Sequence, residues 1–428
     1  MRLRRRPGAV FGLLAVLVAA LSEGGCERAE QVRDRFRDET PHEAYAHALA
    51  RAGLAETALG RSWIRAARDA VRMAATVTLP FEEEGFIAPE APSAVAYRVR
   101  VRRGQRLRVG VVVETRENTR IFVDVFRVPA DSSDAFRPVA HSQSADTALT
   151  YEPWRTGSFV VRLQPELLRG GRYRLSLALE ARLAFPLEGR GVRAIQSLFG
   201  APRDAGRRRH EGVDIFARRG TPVVAALDGV VSRVDTLSLG GKVVWLRDPT
   251  RRLALYYAHL DSQTVRAGQR VHTGQVVGFV GNTGNARTTP PHLHFGVYLR
   301  GEGAVDPDPF IRPPSRHTTA LAADLAELGG WIHVRRSGIR VRAGPSRHAP
   351  VLREMDPASA LRVVGATGRW FRVQLQDGHP GYVAARLTAP AEASVRVADT
   401  SNGPDLSAVA AVPGVPHVSR RASPAARR

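Results

Sequence analysis

The ten residues PPHLHFGVYL, 290–299, decide how the rest of the chain is read. Two histidines, His292 and His294, stand two apart in a run of Leu, Phe, Val and Tyr. Such a run reads as a strand, and residues i and i+2 of a strand point to one face. Both imidazoles therefore look into one space. A pair of half-buried histidines satisfied by backbone or water fits the same pattern, so the choice rests on what else the chain brings there.

Five of the thirteen histidines lie between 210 and 294. They fall in three phrases, RRRHEGVDIFA, YYAHLD and PHLHFGV, with His272 alone between the second and third. His210 and Asp214 are four apart, a spacing that shares a face in a strand or a helix. With His294 they supply two imidazoles and a carboxylate. Catalytic zinc takes three such protein ligands and keeps its fourth position for water. That leaves His259 and His292 to move protons.

Competing motifs fail on residue type. HEGVD is one residue from the helical zinc motif H-E-x-x-H, in which Glu is the base. Gly212 and Val213 make a poor helix interior, and the segment continues as β. Glu211 then alternates to the solvent side. GFVGNTG has neither dinucleotide nor P-loop spacing, so its glycines read as turn residues. No G-x-S-x-G elbow exists. The lone cysteine, Cys26, sits in the leader, so serine and cysteine nucleophiles have no support.

HEGVD, YAHL and HLHF in this order resemble the lysostaphin-type, LytM-like zinc endopeptidases that cut peptidoglycan peptides. GTPVVAALDGVV and GQVVGFVGNTG are similar to that family's strands and turns, and the resemblance spans about residues 186–310. It implies His210, Asp214 and His294 as zinc ligands and His259 and His292 as catalytic histidines. His272 matches no family role and reads as a surface residue. The resemblance implies a water acidified to a pKa of about 7 by zinc and a histidine that accepts and returns protons. Which of His259 and His292 is the base stays open. If its strand is regular, Tyr257 faces the same way as His259, either to hydrogen-bond there or simply to pack. The alternative from another class is a non-catalytic wall-binding regulator on the same fold, which would be expected to have lost ligands.

A chain of 428 residues suggests about three domains. The start carries Arg2, Arg4, Arg5 and Arg6 before an apolar run from Ala9 to Leu21, short for a membrane span and suited to an export signal. Cys26 just after it resembles a lipoprotein's lipidated cysteine, an anchor to the membrane, although Glu23 departs from that pattern. Residues 1–26 are thus expected to be a signal peptide and 27–75 helical, with two helices broken near Gly53 or Gly60. Period-two strands over 76–183 read as an antiparallel sandwich, whose end, GSFVVRLQPELLRGGRYRLSLA, is similar to jelly-roll modules beside secreted peptidases. The metal-site domain spans 184–314, followed by a linker, 315–329. Residues 330–388 resemble the bacterial Src-homology-3-like barrel, on VRAGPS, GRWFRV and Gly381-Tyr382-Val383, and are expected to bind cell wall. An unstructured tail, 389–428, closes the chain. The fold class is mainly β.

The formal charge is +22, and Lys242 is the only lysine among 63 basic residues. The arginines are scattered, without the focused basic stripe of a nucleic-acid binder. Such a charge favours polyanions such as wall polymers or lipid headgroups. Peptidoglycan is the expected partner.

Overall fold

The computed structural model describes residues 38–391 apart from 115–118, 130, 132–134, 144–147, 249, 251, 315–318 and 376–378. The expected export signal and Cys26 lie outside the described residues. Two helices, Pro41–Arg51 and Ala58–Arg72, begin on capping threonines. Thr40 forms a reciprocal capping box with Glu43, satisfying two otherwise orphaned backbone donors. The break falls at Gly53, whose φ of +71° suits glycine, and Gly60 lies inside the second helix.

The helices cover the outer face of a five-stranded sheet built on Val95–Val101, Ile121–Arg127 and Gly157–Pro165. Trp63 and Leu49 pack on Phe122, and Val71 on Phe126 and Val160. The inner face alternates as expected: Tyr97, Val99, Val101, Val123, Val125, Val161 and Leu163 meet Leu107, Val109, Tyr173, Leu175 and Leu177 of the second sheet. The Ile121–Arg127 strand is buried on both faces, which explains its nearly unbroken apolar run, IFVDVF.

The second sheet does not stop at the sandwich. Its Phe81–Ile87 strand pairs with Ala360–Thr367, Glu84 opposite Ala366 and Gly85 opposite Gly365. The C-terminal strands therefore extend an eleven-stranded sheet. Among the described residues no sheet closes, so the small barrel expected at 330–388 is an open set of strands continuous with the sandwich. Thr388–Pro390 pairs with Trp331–Val334, past the expected start of the tail, and Ala323 and Leu328 of the expected linker enter the same core.

One ionic group is buried at this seam. Glu83, with a fully buried side chain, accepts from Arg372 Nε at 2.9 Å. Tyr97 OH donates to it at 2.5 Å, and Tyr173 and Tyr382 complete the cage at 3.3 and 3.4 Å. Glycine makes the room: a Cβ on Gly85 would meet the Tyr173 ring at 2.1 Å and one on Gly365 would meet Glu83 Oε1 at 2.6 Å.

The third unit is a ten-stranded antiparallel sheet. Its path runs through Ile195–Ser197, Val213–Phe216, His292–Leu299, Leu253–Gln263, Gly241–Asp248 and Gly229–Leu237. Val213, Ile215, Leu255, Tyr257, Leu293, Phe295 and Val297 form the core face. The other face is left for the polar residues of these strands.

Candidate active site

The His292–Leu299 strand sits between the two strands that supply its partners. Asp214 stands opposite His294 and Phe216 opposite His292; on the other side Ala258 faces His294 and Tyr256 faces Gly296. Directly opposed residues share a face, so His292, His294, Asp214, Tyr256 and Ala258 are placed together by register alone. His210 arrives from the turn before Val213. Gly212 lets the turn come close, because a Cβ there would sit 2.6 Å from Phe295 O and 2.7 Å from the His294 ring.

Regular alternation would send His259 to the core side with Tyr257. It does not go there. His259 has φ +62°, and the register slips between Val244↔Tyr257 and Lys242↔Leu260. This bulge turns His259 back to the site face, 5.0 Å from His292 and 5.9 Å from His294 between ring centres. The expectation that Tyr257 shares the face of His259 is therefore corrected. Tyr257 is fully buried, packs on Phe295, and its hydroxyl accepts from Ala226 N–H at 2.9 Å.

Three donor atoms converge. His210 Nε2 lies 3.0 Å from Asp214 Oδ1, His294 Nδ1 lies 3.1 Å from the same oxygen, and the two nitrogens are 2.9 Å apart. His210 Nδ1 is 2.9 Å from Leu198 O. A carbonyl only accepts, so that nitrogen carries the proton and Nε2 of the neutral ring presents a lone pair. Two imidazoles and a carboxylate oxygen pointing at one spot form a donor set suited to a divalent cation. Asp214 Oδ2 is held away from that spot by Arg203 Nη2 at 2.9 Å, which also donates to Ser197 Oγ at 2.6 Å.

The other two imidazoles are oriented in the same manner. His292 Nδ1 lies 2.9 Å from Pro290 O and His259 Nδ1 lies 2.9 Å from Thr283 O. Each Nε2 is left to the cleft. Burial, with His294 and His292 nearby, lowers the His259 pKa to about 4, so it is neutral and proton-accepting at pH 7. Burial likewise lowers His294. Burial acts to raise the Asp214 pKa, but the His210 and His294 imidazoles set against it outweigh this and hold the carboxyl far below its usual range.

These side chains line a cleft of about 550 Å³. One wall is aromatic: the Trp245 ring lies tilted against Tyr256 at 4.5 Å and against Tyr298 at 5.0 Å between ring centres. Glu211 is exposed at the rim and accepts from Tyr298 OH at 3.1 Å. His272 is exposed and lies outside the cleft. Sequence reasoning missed Arg203, Thr283, Trp245, Tyr256 and Tyr298. The period-two pattern carries the signal for Tyr298, an even step from His294 on the same strand, whereas Tyr256 joins them through the register that sets it opposite Gly296. Arg203 lies in the two-residue strand Pro202–Arg203 and Thr283 in a loop, where no periodicity marks them.

Residues 208–307 match the family model of peptidase family M23, and 337–389 match the bacterial SH3 domain. The chain thus carries a peptidase family M23 domain and a bacterial SH3 domain. Two curated M23-like relatives illustrate the match. An L-Ala–D-Glu endopeptidase of Bacillus subtilis is 39% identical over 145 residues, 31% of this chain and 44% of that protein. The peptidoglycan DD-endopeptidase ShyC of Vibrio cholerae is 39% identical over 92 residues, 22% of this chain and 21% of that protein. The chain spans less than half the length of the curated relatives it matches. Among solved structures, the catalytic domain of the M23 protein EnpA from Enterococcus faecalis is 30% identical, with 27% of this chain and 88% of that one covered at a TM-score of 0.25. The M23 segment contains all five residues expected from the sequence, His210, Asp214, His259, His292 and His294.

Proposed function

We propose that the protein is an exported zinc metallo-endopeptidase that hydrolyses peptide bonds of bacterial peptidoglycan. The observation that carries the reading is the convergence of His210 Nε2, Asp214 Oδ1 and His294 Nδ1 beside two further imidazoles, His259 and His292, each held at Nδ1 by a backbone carbonyl, with His292 Nε2 4.0 Å from Asp214 Oδ1. In this reading those three residues hold zinc, whose chemistry when bound is to acidify a water and polarise the scissile carbonyl. Arg203 keeps the carboxylate pointing one oxygen at the ion. His292 and His259 take the proton from the attacking water and return one to the leaving amine. Neutral His259 suits the accepting step. The aromatic wall gives an extended peptide a surface to lie on, and its Tyr298–Glu211 pair closes one end. One relative is named a peptidoglycan DD-endopeptidase and another an L-Ala–D-Glu endopeptidase, and both names support the substrate class. The bacterial SH3 strands supply wall contact, and the leader exports the chain, with Cys26 the residue to carry a lipid anchor.

The regulator reading is less favoured because all three donor residues are present. Mass spectrometry of purified peptidoglycan after incubation with the full-length protein decides between them. New peptide termini that vanish with a chelator and return with zinc are expected. Retention on sacculi with no new termini, from zinc-loaded protein, would instead make it a wall-binding regulator.

A further inference from the structure

His259 occupies a left-handed backbone conformation that is strained for a non-glycine residue. It is the surplus residue of a bulge, for Ala258 and His259 together face the single Val243. Bulges of this kind re-aim side chains beside functional sites, and the surroundings must hold the strain. The backbone N–H of His259 is held by Gly240 O at 2.8 Å. The remaining contacts lead to one residue in the loop before the His292–Leu299 strand.

That residue is Thr283. Its hydroxyl accepts from Lys242 N–H at 2.9 Å and donates to Leu260 O at 2.8 Å. Lys242 and Leu260 are the pair that resumes regular register just past the bulge. Its carbonyl takes the proton of His259 Nδ1 at 2.9 Å. A Cβ on Gly241 would lie 2.2 Å from Thr283 Oγ1, and one on Gly284 would lie 2.3 Å from Gly241 N. The loop and the strand hairpin are thus seated with no slack. The same loop meets the other free histidine, since His292 N–H donates to Gly281 O at 3.0 Å.

We propose that Thr283 is the positioning residue for His259: its hydroxyl pins the bulge, and its carbonyl fixes the imidazole as the Nδ1–H tautomer with Nε2 open to the cleft. The role assigned to His259 in turnover rests on the endopeptidase reading; the tautomer does not. A side chain that cannot bridge Lys242 N–H and Leu260 O leaves the carbonyl unanchored and the ring free to turn.

The test uses full-length protein carrying Thr283→Val, nearly isosteric, and Thr283→Ser, which keeps the hydroxyl. Nitrogen-15 NMR of the imidazoles reads the His259 tautomer, and elemental analysis reads zinc per chain. In wild type, His259 should be protonated on Nδ1. Thr283→Val should mix the tautomers and lower turnover on peptidoglycan by about 10- to 100-fold, the scale of a catalytic group misplaced by an ångström, with zinc unchanged. Thr283→Ser should restore both. Wild-type His259 protonated on Nε2 overturns the proposal, and this measurement stands even if the valine variant does not fold. So does a valine variant with wild-type tautomer and turnover, or one that loses zinc along with activity. If wild type cleaves no peptidoglycan yet the tautomer responds as expected, the endopeptidase reading fails and the positioning role survives.

Discussion

Arg372→Met should undock the C-terminal strands from the sandwich. Arg372 gives Glu83 its only guanidinium partner among the described residues and also holds Tyr173 OH at 2.8 Å and Val364 O at 3.0 Å. Burial opposes its charge, yet Glu83 and the surrounding tyrosines keep its pKa well above the usual value. Methionine fills similar volume but leaves a carboxylate with a fully buried side chain and only tyrosine hydroxyls around it. Removing one partner of a buried ion pair costs about 3–5 kcal/mol, because the other charge stays behind. Native-state hydrogen exchange is the suitable assay, since a chain of several units need not unfold in one step. Amides of Ala360–Thr367 and Phe81–Ile87 should lose protection by roughly 100- to 4,000-fold, the same energy at 1.4 kcal/mol per decade. The double variant Glu83→Leu with Arg372→Met removes both charges and should recover most of that loss. Protection in Arg372→Met within about threefold of wild type would refute the claim that this pair clamps the seam.

Ligand and proton carrier should separate although they are two residues apart: His294→Ala is expected to lose zinc and activity together, whereas His292→Ala keeps zinc and loses about 100-fold or more in turnover, both read by elemental analysis and cleavage rate. Glu211→Gln, at the exposed rim of the cleft, should keep zinc and turnover within about threefold on the same assays, since Glu211 is not among the metal donors and the amide oxygen can still accept from Tyr298 OH. His42 gives a pH dependence. It stacks on Trp63 at 4.7 Å, and burial, followed by Arg162, lowers its pKa to about 4 from the usual 6.5. The unfolded chain therefore binds the proton first, and stability present above pH 6.5 should fall as pH drops toward 4, by about 3 kcal/mol. His42→Phe should flatten that slope in denaturant unfolding followed by far-ultraviolet circular dichroism; an unchanged slope counts against the assignment.

What the sequence made legible was whatever follows a period. His292 and His294 share a face because strands alternate, and Asp214 joins them because it stands opposite His294 in the ladder. The sandwich core follows from alternation in the same way. The misses occur where one residue breaks the period or where distant segments meet. Tyr257 was grouped with His259 because a bulge leaves no mark in an alternating run; one surplus residue reverses the face of everything beyond it. That the C-terminal strands continue the sandwich sheet is not legible, because the pairing that binds Ala360–Thr367 to Phe81–Ile87 joins residues almost 300 apart. Glu83 is the instructive case. In FEEEGFI it is one of three consecutive glutamates, all of which would ordinarily read as solvated, and only the partner strand supplies Arg372. Glycine was the one local clue there, since Gly85 and Gly365 sit opposite each other where ordinary side chains would occupy the space of the ion pair and its tyrosine. The site follows the same logic. Gly212, Gly241 and Gly284 stand where backbones approach the histidines or the loop that orients them, so the glycines of such a chain locate its close contacts even where periodicity fails.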